Sequence, residues 1–328
     1  MSQQEFPATE WIWVDGKLVR WQDATLHVMS HVVHYGSSVF EGMRCYATKQ
    51  GLRFFRYAEH MQRLRESAAI HRMTYPWTDE QLADATRELI AKNGLTNGAY
   101  IRPVVLRGIG AAGVDPVGSP VHVYLVVWEW GAYLGPEALE KGIAAGVSSW
   151  FRPAANTHPT MAKAGGNYLN SSLMKVEAHN NGFDEAIALS VEGLVSEGSG
   201  QNIFLVKNGE LYTPSVDGTF LQGITRDSVI TIAHELGIGV HEARVPREML
   251  YVADEIFLVG TASEVTPVTS VDHWQIGSGK RGPITGRIQE RFMAVARGEA
   301  PDRHGWLTSA EVARPSGAAR SKQAGVGA

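Results

Sequence analysis

Met161-Ala162-Lys163-Ala164-Gly165-Gly166-Asn167-Tyr168 sets a single lysine among small residues, at what the pattern predicts to be a strand-to-helix junction. A lone lysine is, in most proteins, a solvated surface charge. Here Ala162, Ala164, Gly165 and Gly166 leave room for a bulky planar ring to approach the backbone. A lysine in so tight and desolvated a place loses basicity and becomes a nucleophilic amine.

Three further stretches fit the same ligand. Ser196-Glu197-Gly198-Ser199-Gly200-Gln201-Asn202 places a carboxylate in a turn of small residues just ahead of a strand. A pyridinium nitrogen needs such an anion to stay protonated and act as an electron sink. Leu221-Gln222-Gly223-Ile224-Thr225-Arg226-Asp227 brings a glycine to the start of a helix, whose free N–H groups and dipole favour a phosphate. Arg63, on the helix after Tyr57, can clamp that phosphate from the other side. Taken singly, these read as a turn glutamate, a plain Thr N-cap and a surface arginine. Taken together they describe a cradle for pyridoxal 5'-phosphate, with Lys163 as the residue that carries it.

The surrounding pattern mixes helices and strands. Trp11–Trp21 reads as two short strands around Asp15-Gly16. From Ala58, Met61, Leu64, Ala68 and, at the margin, Ile70 fall at helix spacing. Thr78 opens a second helix with Gln81 completing a capping box; Leu82, Leu89 and Ile90 form its apolar face and Asn93-Gly94 closes it. Strands follow at Ala99–Leu106 and Val121–Trp130, then a glycine-punctuated linker, Gly131–Gly142. Beyond it, Ile143–Trp150 reads as a strand and Asn167–His179 as a helix. Ile203–Lys207 and Glu210–Thr213 flank the hairpin turn Asn208-Gly209. Thr225 is expected to cap a helix carrying Val229, Ile232, Ala233 and Leu236, stopped by Gly237, and Glu255–Val259 to be the last clear strand. The division expected is a smaller α/β domain over residues 1–130, the linker 131–142, a larger strand-rich domain over 143–312, and a disordered tail over 313–328.

Composition narrows the function. The 328 residues suit two domains, and a hydrophobic fraction of 44% supports a sizeable core. A net charge of −4 argues against nucleic acid or an anionic membrane surface as main partner. Cys45, the single cysteine, cannot form an internal disulfide. The first ten residues lack an apolar signal core and no apolar run reaches membrane-spanning length, so a cytoplasmic protein is expected. Gly108-Ile109-Gly110-Ala111-Ala112-Gly113 is a literal dinucleotide fingerprint, but Pro116, Gly118 and Pro120 forbid the helix that the mechanism requires. A mobile glycine loop is the better reading. His27, His31 and His34 have no cysteine or carboxylate pair nearby to complete a metal shell, so no metal is expected. Nothing marks a base beside Cys45, and Gly198-Ser199-Gly200 lacks the spacing of a nucleophile elbow.

The chain resembles the class IV aminotransferases, and within them the bacterial branched-chain type, from about Trp11 to Trp306. The resemblance is carried by Met29–Gly36, Val39-Phe40-Glu41-Gly42-Met43-Arg44, Glu59–Leu64, Tyr100-Ile101-Arg102-Pro103 and Trp130–Gly135. It continues through Lys163–Leu169, Ser196–Asn202, Gly223–Asp227 and Gly260-Thr261-Ala262. It implies a two-domain fold-type-IV pyridoxal-phosphate enzyme of mixed α/β (α+β) class. It also implies ping-pong transfer of the amino group of leucine, isoleucine or valine to 2-oxoglutarate. A D-amino-acid or amine transaminase of the same fold is the alternative. Lys163 would hold the cofactor and shuttle the proton, Glu197 would pair with the ring nitrogen and Tyr168 with the ring hydroxyl. Arg63, Gly223, Ile224, Thr225 and Thr261 would hold the phosphate, with Leu221 against the ring. Tyr35, Phe40, Gly42, Trp130 and Tyr133 would form the substrate pocket. Tyr100 and the Thr261-Ala262 backbone would take the α-carboxylate, and Arg102 the second carboxylate of glutamate. The resemblance further implies a homodimer at least, up to a hexamer, whose loop Arg107–Asp115 completes the neighbouring subunit's site. Ala111-Ala112-Gly113-Val114-Asp115 departs from the family pattern there.

Overall fold

The structure is a computed structural model that describes residues 6–110, 112–131, 135, 137–216 and 218–312. Ala111, Tyr133 and the tail 313–328 lie outside the described residues. Two sheets organise the fold.

The first half contributes β1 (Trp11–Val14), β2 (Lys17–Arg20), β3 (Ser38–Phe40), β4 (Met43–Thr48), β5 (Gly51–Phe55), β6 (Gly98–Arg107) and β7 (Val121–Trp128), with helices α1 (His31–Tyr35), α2 (Tyr57–Ile70) and α3 (Asp79–Lys92). These strands pair antiparallel in the order β5-β4-β6-β7-β1-β2, with β3 alongside β6. The turn between β1 and β2 places Asp15 and Gly16 at φ 45° and 89°, the left-handed pair that an Asp-Gly hairpin supplies. The Thr78–Gln81 capping box forms in full. Met61, Leu64 and Ala68 of α2 join Leu82, Leu89 and Ile90 of α3 in the core of this sheet. Ile70 does not; it ends α2 on the exposed side.

The second half contributes α4 (Ala138–Lys141), β8 (Ile143–Val147), α5 (Tyr168–Asn180), β9 (Glu185–Leu189), β10 (Val195–Gly198), β11 (Asn202–Lys207), β12 (Glu210–Pro214), α6 (Ile224–Glu235), β13 (Val240–Ala243), α7 (Met249–Val252), β14 (Glu255–Gly260), β15 (Glu264–Val271), β16 (Trp274–Gln275) and α8 (Pro283–Ala296). The sheet order is β10-β9-β8-β15-β14-β11-β12-β13, with β16 on β15. Its pairs are parallel at β8–β9, β8–β15 and β12–β13. The last strand, β17 (Leu307–Ser309), returns to pair with β5 at the edge of the first sheet. There Phe55 of β5 packs with Phe292 and Trp306 in the core of the second half.

Several sequence expectations shift. β7 and β8 end earlier than read, at Trp128 and Val147. Glu255–Val259 is not the last strand: β15 follows, its pattern broken by Pro267, which pairs opposite Phe257. Thr225 does not cap α6; Gly223 occupies the N-cap and, among the described residues, no side chain caps the helix. Lys163 follows an irregular segment rather than a strand, beside the bridge that joins Ala164 to Val39 of β3.

Candidate active site

The backbone of Lys163 is fastened to the first half of the chain although its sequence neighbours belong to the second. Its N–H donates to Ser67 Oγ on α2 at 3.0 Å, and its carbonyl accepts from Phe40 N–H at 3.0 Å. A Cβ on Gly165 would come within 2.4 Å of Ser38 Oγ, so the small residues around the lysine permit this approach. The side chain then reaches Tyr168, at the start of α5, with Nζ donating to its hydroxyl at 2.7 Å. Nζ also lies 5.0 Å from the centre of the Phe40 ring.

Glu197 faces the same space. It sits within β10, not in a turn as its small neighbours suggested, because β10 continues to Gly198 past a bulge between Val195 and Glu197. It is buried, and Arg152 Nη2 lies 2.8 Å from its Oε1. Arg152 is itself buried and donates through Nη1 to Asn170 Oδ1 and Ser171 Oγ. Burial pushes the Glu197 carboxyl up to about 7, against the pull of Arg152 and Lys163.

At the opposite end, α6 points its uncapped first turn at the cavity. A Cβ on Gly223 would come within 2.0 Å of Asn202 Oδ1, so glycine keeps this approach open. Asn202 Nδ2 donates to the Leu221 carbonyl at 2.9 Å. Arg63 donates through Nη1 to the Gln222 carbonyl at 2.8 Å and forks onto Glu41, at 2.6 Å from Nε and 3.0 Å from Nη2. His60 Nδ1 also donates to Glu41, at 2.7 Å. Burial acts to raise the Glu41 pKa, but Arg63 and His60 outweigh it and hold the carboxyl well below the usual range.

The third wall is aromatic and cationic. The Tyr100 and Trp130 rings meet edge to face at 4.6 Å, and Gly42 is required beside them because a Cβ there would lie 1.9 Å from the Tyr100 hydroxyl. Arg102 donates to that hydroxyl at 3.2 Å and lies over the Phe40 ring at 4.9 Å, while its Nε is buried without a hydrogen-bond partner among the described residues.

One cavity of about 180 Å³ joins these three ends. Lys163, Tyr168, Glu197 and Leu221 line it, as do Arg63, Gly223, Ile224 and Thr225. So do Phe40, Gly42, Tyr100, Arg102 and Trp130, and Thr261 with Ala262. Tyr35 does not: it is 47% exposed at the end of α1 and lines no part of this cavity. Tyr133 lies outside the described residues.

Residues 38–271 match the family model of amino-transferase class IV. The chain belongs to the class IV aminotransferases. The branched-chain-amino-acid aminotransferase of Salmonella typhimurium strain LT2 is 53% identical over 299 residues, covering 91% of this chain and 96% of that one. The crystal structure of the Escherichia coli branched-chain amino acid aminotransferase is 52% identical with a TM-score of 0.90, covering 93% and 100% of the two chains. That of the Thermobaculum terrenum branched-chain amino acid aminotransferase, in its PLP-bound holo-form, is 32% identical with a TM-score of 0.85, covering 92% and 99%.

For a class IV aminotransferase, the donor set fits a phosphorylated pyridine. An amine stands next to a phenol, a buried acid lies beside its arginine, and an uncapped helix start lies beside a second arginine. Sequence reasoning gave no role to Glu41, Arg44 or Arg152. Glu41 had a signal in principle, since His60 and Arg63 stand three apart on one helix face and want a common anion. Arg152 had none: it lies in an irregular segment and its partner is 45 positions away on β10.

Proposed function

We propose that this class IV aminotransferase moves the amino group of L-leucine, L-isoleucine or L-valine reversibly to 2-oxoglutarate, using pyridoxal 5'-phosphate in the cytoplasm. The observation that carries the reading is the convergence on one cavity of Lys163 paired to Tyr168, Glu197 backed by Arg152, and the open start of α6 beside Arg63. The names of relatives more than half identical supply the substrate class.

Arg63, Gly223, Ile224, Thr225 and Thr261 hold the phosphate, and Leu221 packs against the ring. Tyr168 binds the ring hydroxyl while Glu197 keeps the ring nitrogen protonated. Bound there, the cofactor supplies an electron sink for loss of the substrate's α-proton. Lys163 carries the cofactor and moves that proton, with Tyr168 orienting its Nζ. Tyr100 and the Thr261–Ala262 backbone take the α-carboxylate. Phe40 and Trp130, with Tyr133, enclose the branched side chain. A glutamate side chain would leave a desolvated carboxylate there, and Arg102, whose buried Nε has no partner among the described residues, supplies the donor.

The active unit is at least a homodimer. Leu169, Leu173 and Val176 expose an apolar stripe along one face of α5, beside exposed Trp150, Phe151 and Met161. Tyr35 and the exposed loop that His31 and Arg107 hold through the Val114 and Pro116 carbonyls serve the neighbouring subunit's cavity.

The test is the visible spectrum of the holoenzyme on adding L-leucine, D-leucine or a primary amine. L-leucine alone should bleach the cofactor band, and borohydride reduction with peptide mapping should mark Lys163. An equal response to D-leucine or to the amine, or a label elsewhere, would overturn the assignment.

A further inference from the structure

Arg44 of β4 is not among the residues that line the cavity, yet it spends its whole fork on segments that are. Its Nε donates to the Thr261 carbonyl at 2.8 Å and its Nη2 to the Ala262 carbonyl at 2.9 Å. Nη1 donates to the Trp130 carbonyl and Nη2 also to that of Gly131, both at 3.0 Å. One guanidinium of the first sheet thus gathers the β14–β15 turn of the second sheet and the segment leaving β7.

Peptide planarity gives this arrangement a direction. In a trans peptide the N–H points opposite to the carbonyl. With the Thr261 and Ala262 carbonyls turned to Arg44, the N–H groups of Ala262 and Ser263 point away from it. Gly260, Thr261, Ala262 and Ser263 all line the cavity, so away from Arg44 is toward the cavity. A carbonyl engaged by a cation also polarises its own peptide, which strengthens the opposite N–H as a donor. The turn is held in a costly shape for this: Glu264 has φ 53°, and its carboxylate accepts from Tyr46 at 2.9 Å and lies 3.9 Å from Arg44 Nε.

We propose that Arg44 is a positioning residue for the substrate's α-carboxylate, delivering its charge through two peptide units without touching the substrate. The proposal rests on the reading of Thr261–Ala262 as the carboxylate cup. It differs from the role given to Arg102, which faces the cavity directly.

The test uses the holoenzyme with 4-methylpentanoate and its neutral amide, two ligands that differ at the carboxylate alone, titrated by the cofactor's absorbance. Wild type should bind the acid more tightly than the amide. R44M should weaken the acid roughly 10- to 100-fold and leave the amide unchanged, with KM for L-leucine rising and cofactor affinity retained. R44K keeps the charge but cannot hold four carbonyls in a planar fork, and should fall between; it also serves if R44M fails to fold. Wild type that does not discriminate acid from amide would overturn the carboxylate cup and the Arg44 role with it. Discrimination that is as large in R44M as in wild type, or as large in R44K when R44M does not fold, would overturn the Arg44 role alone. Equal weakening of acid and amide would also overturn it, since that would mean general loosening of the wall.

Discussion

Two buried glutamates serve the cavity, Glu197 on its wall and Glu41 behind Arg63, and burial has opposite outcomes for them. Glu41 accepts a two-pronged fork from Arg63, a hydrogen bond from His60 and the Gly42 N–H, and stays ionised far below the usual pH. Glu197 meets one branch of Arg152 and the Leu221 backbone N–H, fewer donors than Glu41 has, and burial pushes it up to about 7. Desolvation opposes both; the number and geometry of donors decide which charge survives. Glu41 is therefore a completed anchor for Arg63. Glu197 is an incomplete pair, to which the proposed function gives a proton on the ring nitrogen as its further partner.

The largest break in this contrast should come at Glu41. Glu41→Gln strands Arg63 and His60 without their anion, and removing one partner of a buried pair costs about 3–5 kcal/mol. Thermal and urea unfolding of the cofactor-free protein should both register that loss; an unchanged melting temperature would mean Glu41 anchors nothing. Glu197→Gln should behave the other way round. The cofactor-free protein keeps its stability, while single-turnover proton abstraction slows by roughly 10²- to 10³-fold, the scale of one lost electrostatic contact in a preorganised site. An unaltered rate would separate the electron sink from this carboxylate.

Acidity separates the pair again, with opposite signs. Glu197 binds its proton more tightly folded than unfolded, so its contribution to the stability of the cofactor-free protein declines as pH rises from about 4.5 to about 7. Glu41 binds its proton more weakly folded than unfolded, so its contribution is complete above about 4.5 and is lost progressively below. Denaturant titrations across pH 4–8 should lose the first slope in Glu197→Gln, and a slope that persists there belongs to another group. The smallest effect expected is His60→Phe, which removes one of Glu41's donors while the Arg63 fork remains, at about 1–3 kcal/mol of stability. A loss as large as that of Glu41→Gln would make His60, not Arg63, the main support.

The same contrast explains what could be read in advance. Features written in adjacent residues were legible: the Asp15-Gly16 turn, the Thr78–Gln81 box and Asn208-Gly209, whose φ values of 51° and 83° suit its hairpin. Lys163, Glu197 and the start of α6 stood out because small residues flank each one. β15 was hidden by Pro267, and α8 by a proline at its first turn and a glycine-rich approach, although Ile288, Phe292 and Val295 carry a helical stripe. Thr225 mimicked a cap because Gly223, the actual N-cap, offers no side chain to notice. The partners Arg44 and Arg152 act across elements far apart in the chain, where spacing says nothing.

The pairing of β17 with β5 also bears on how the protein is made. Phe55 waits for Phe292 and Trp306, and the Trp306 carbonyl accepts the Arg56 N–H immediately ahead of α2. On a ribosome, the first half emerges with that edge strand open and its aromatic side chain uncovered until residue 309 has been released. The early half therefore spends most of its synthesis as an unfinished sheet, and the stretch around Phe55 is where a chaperone would find a newly born chain to hold.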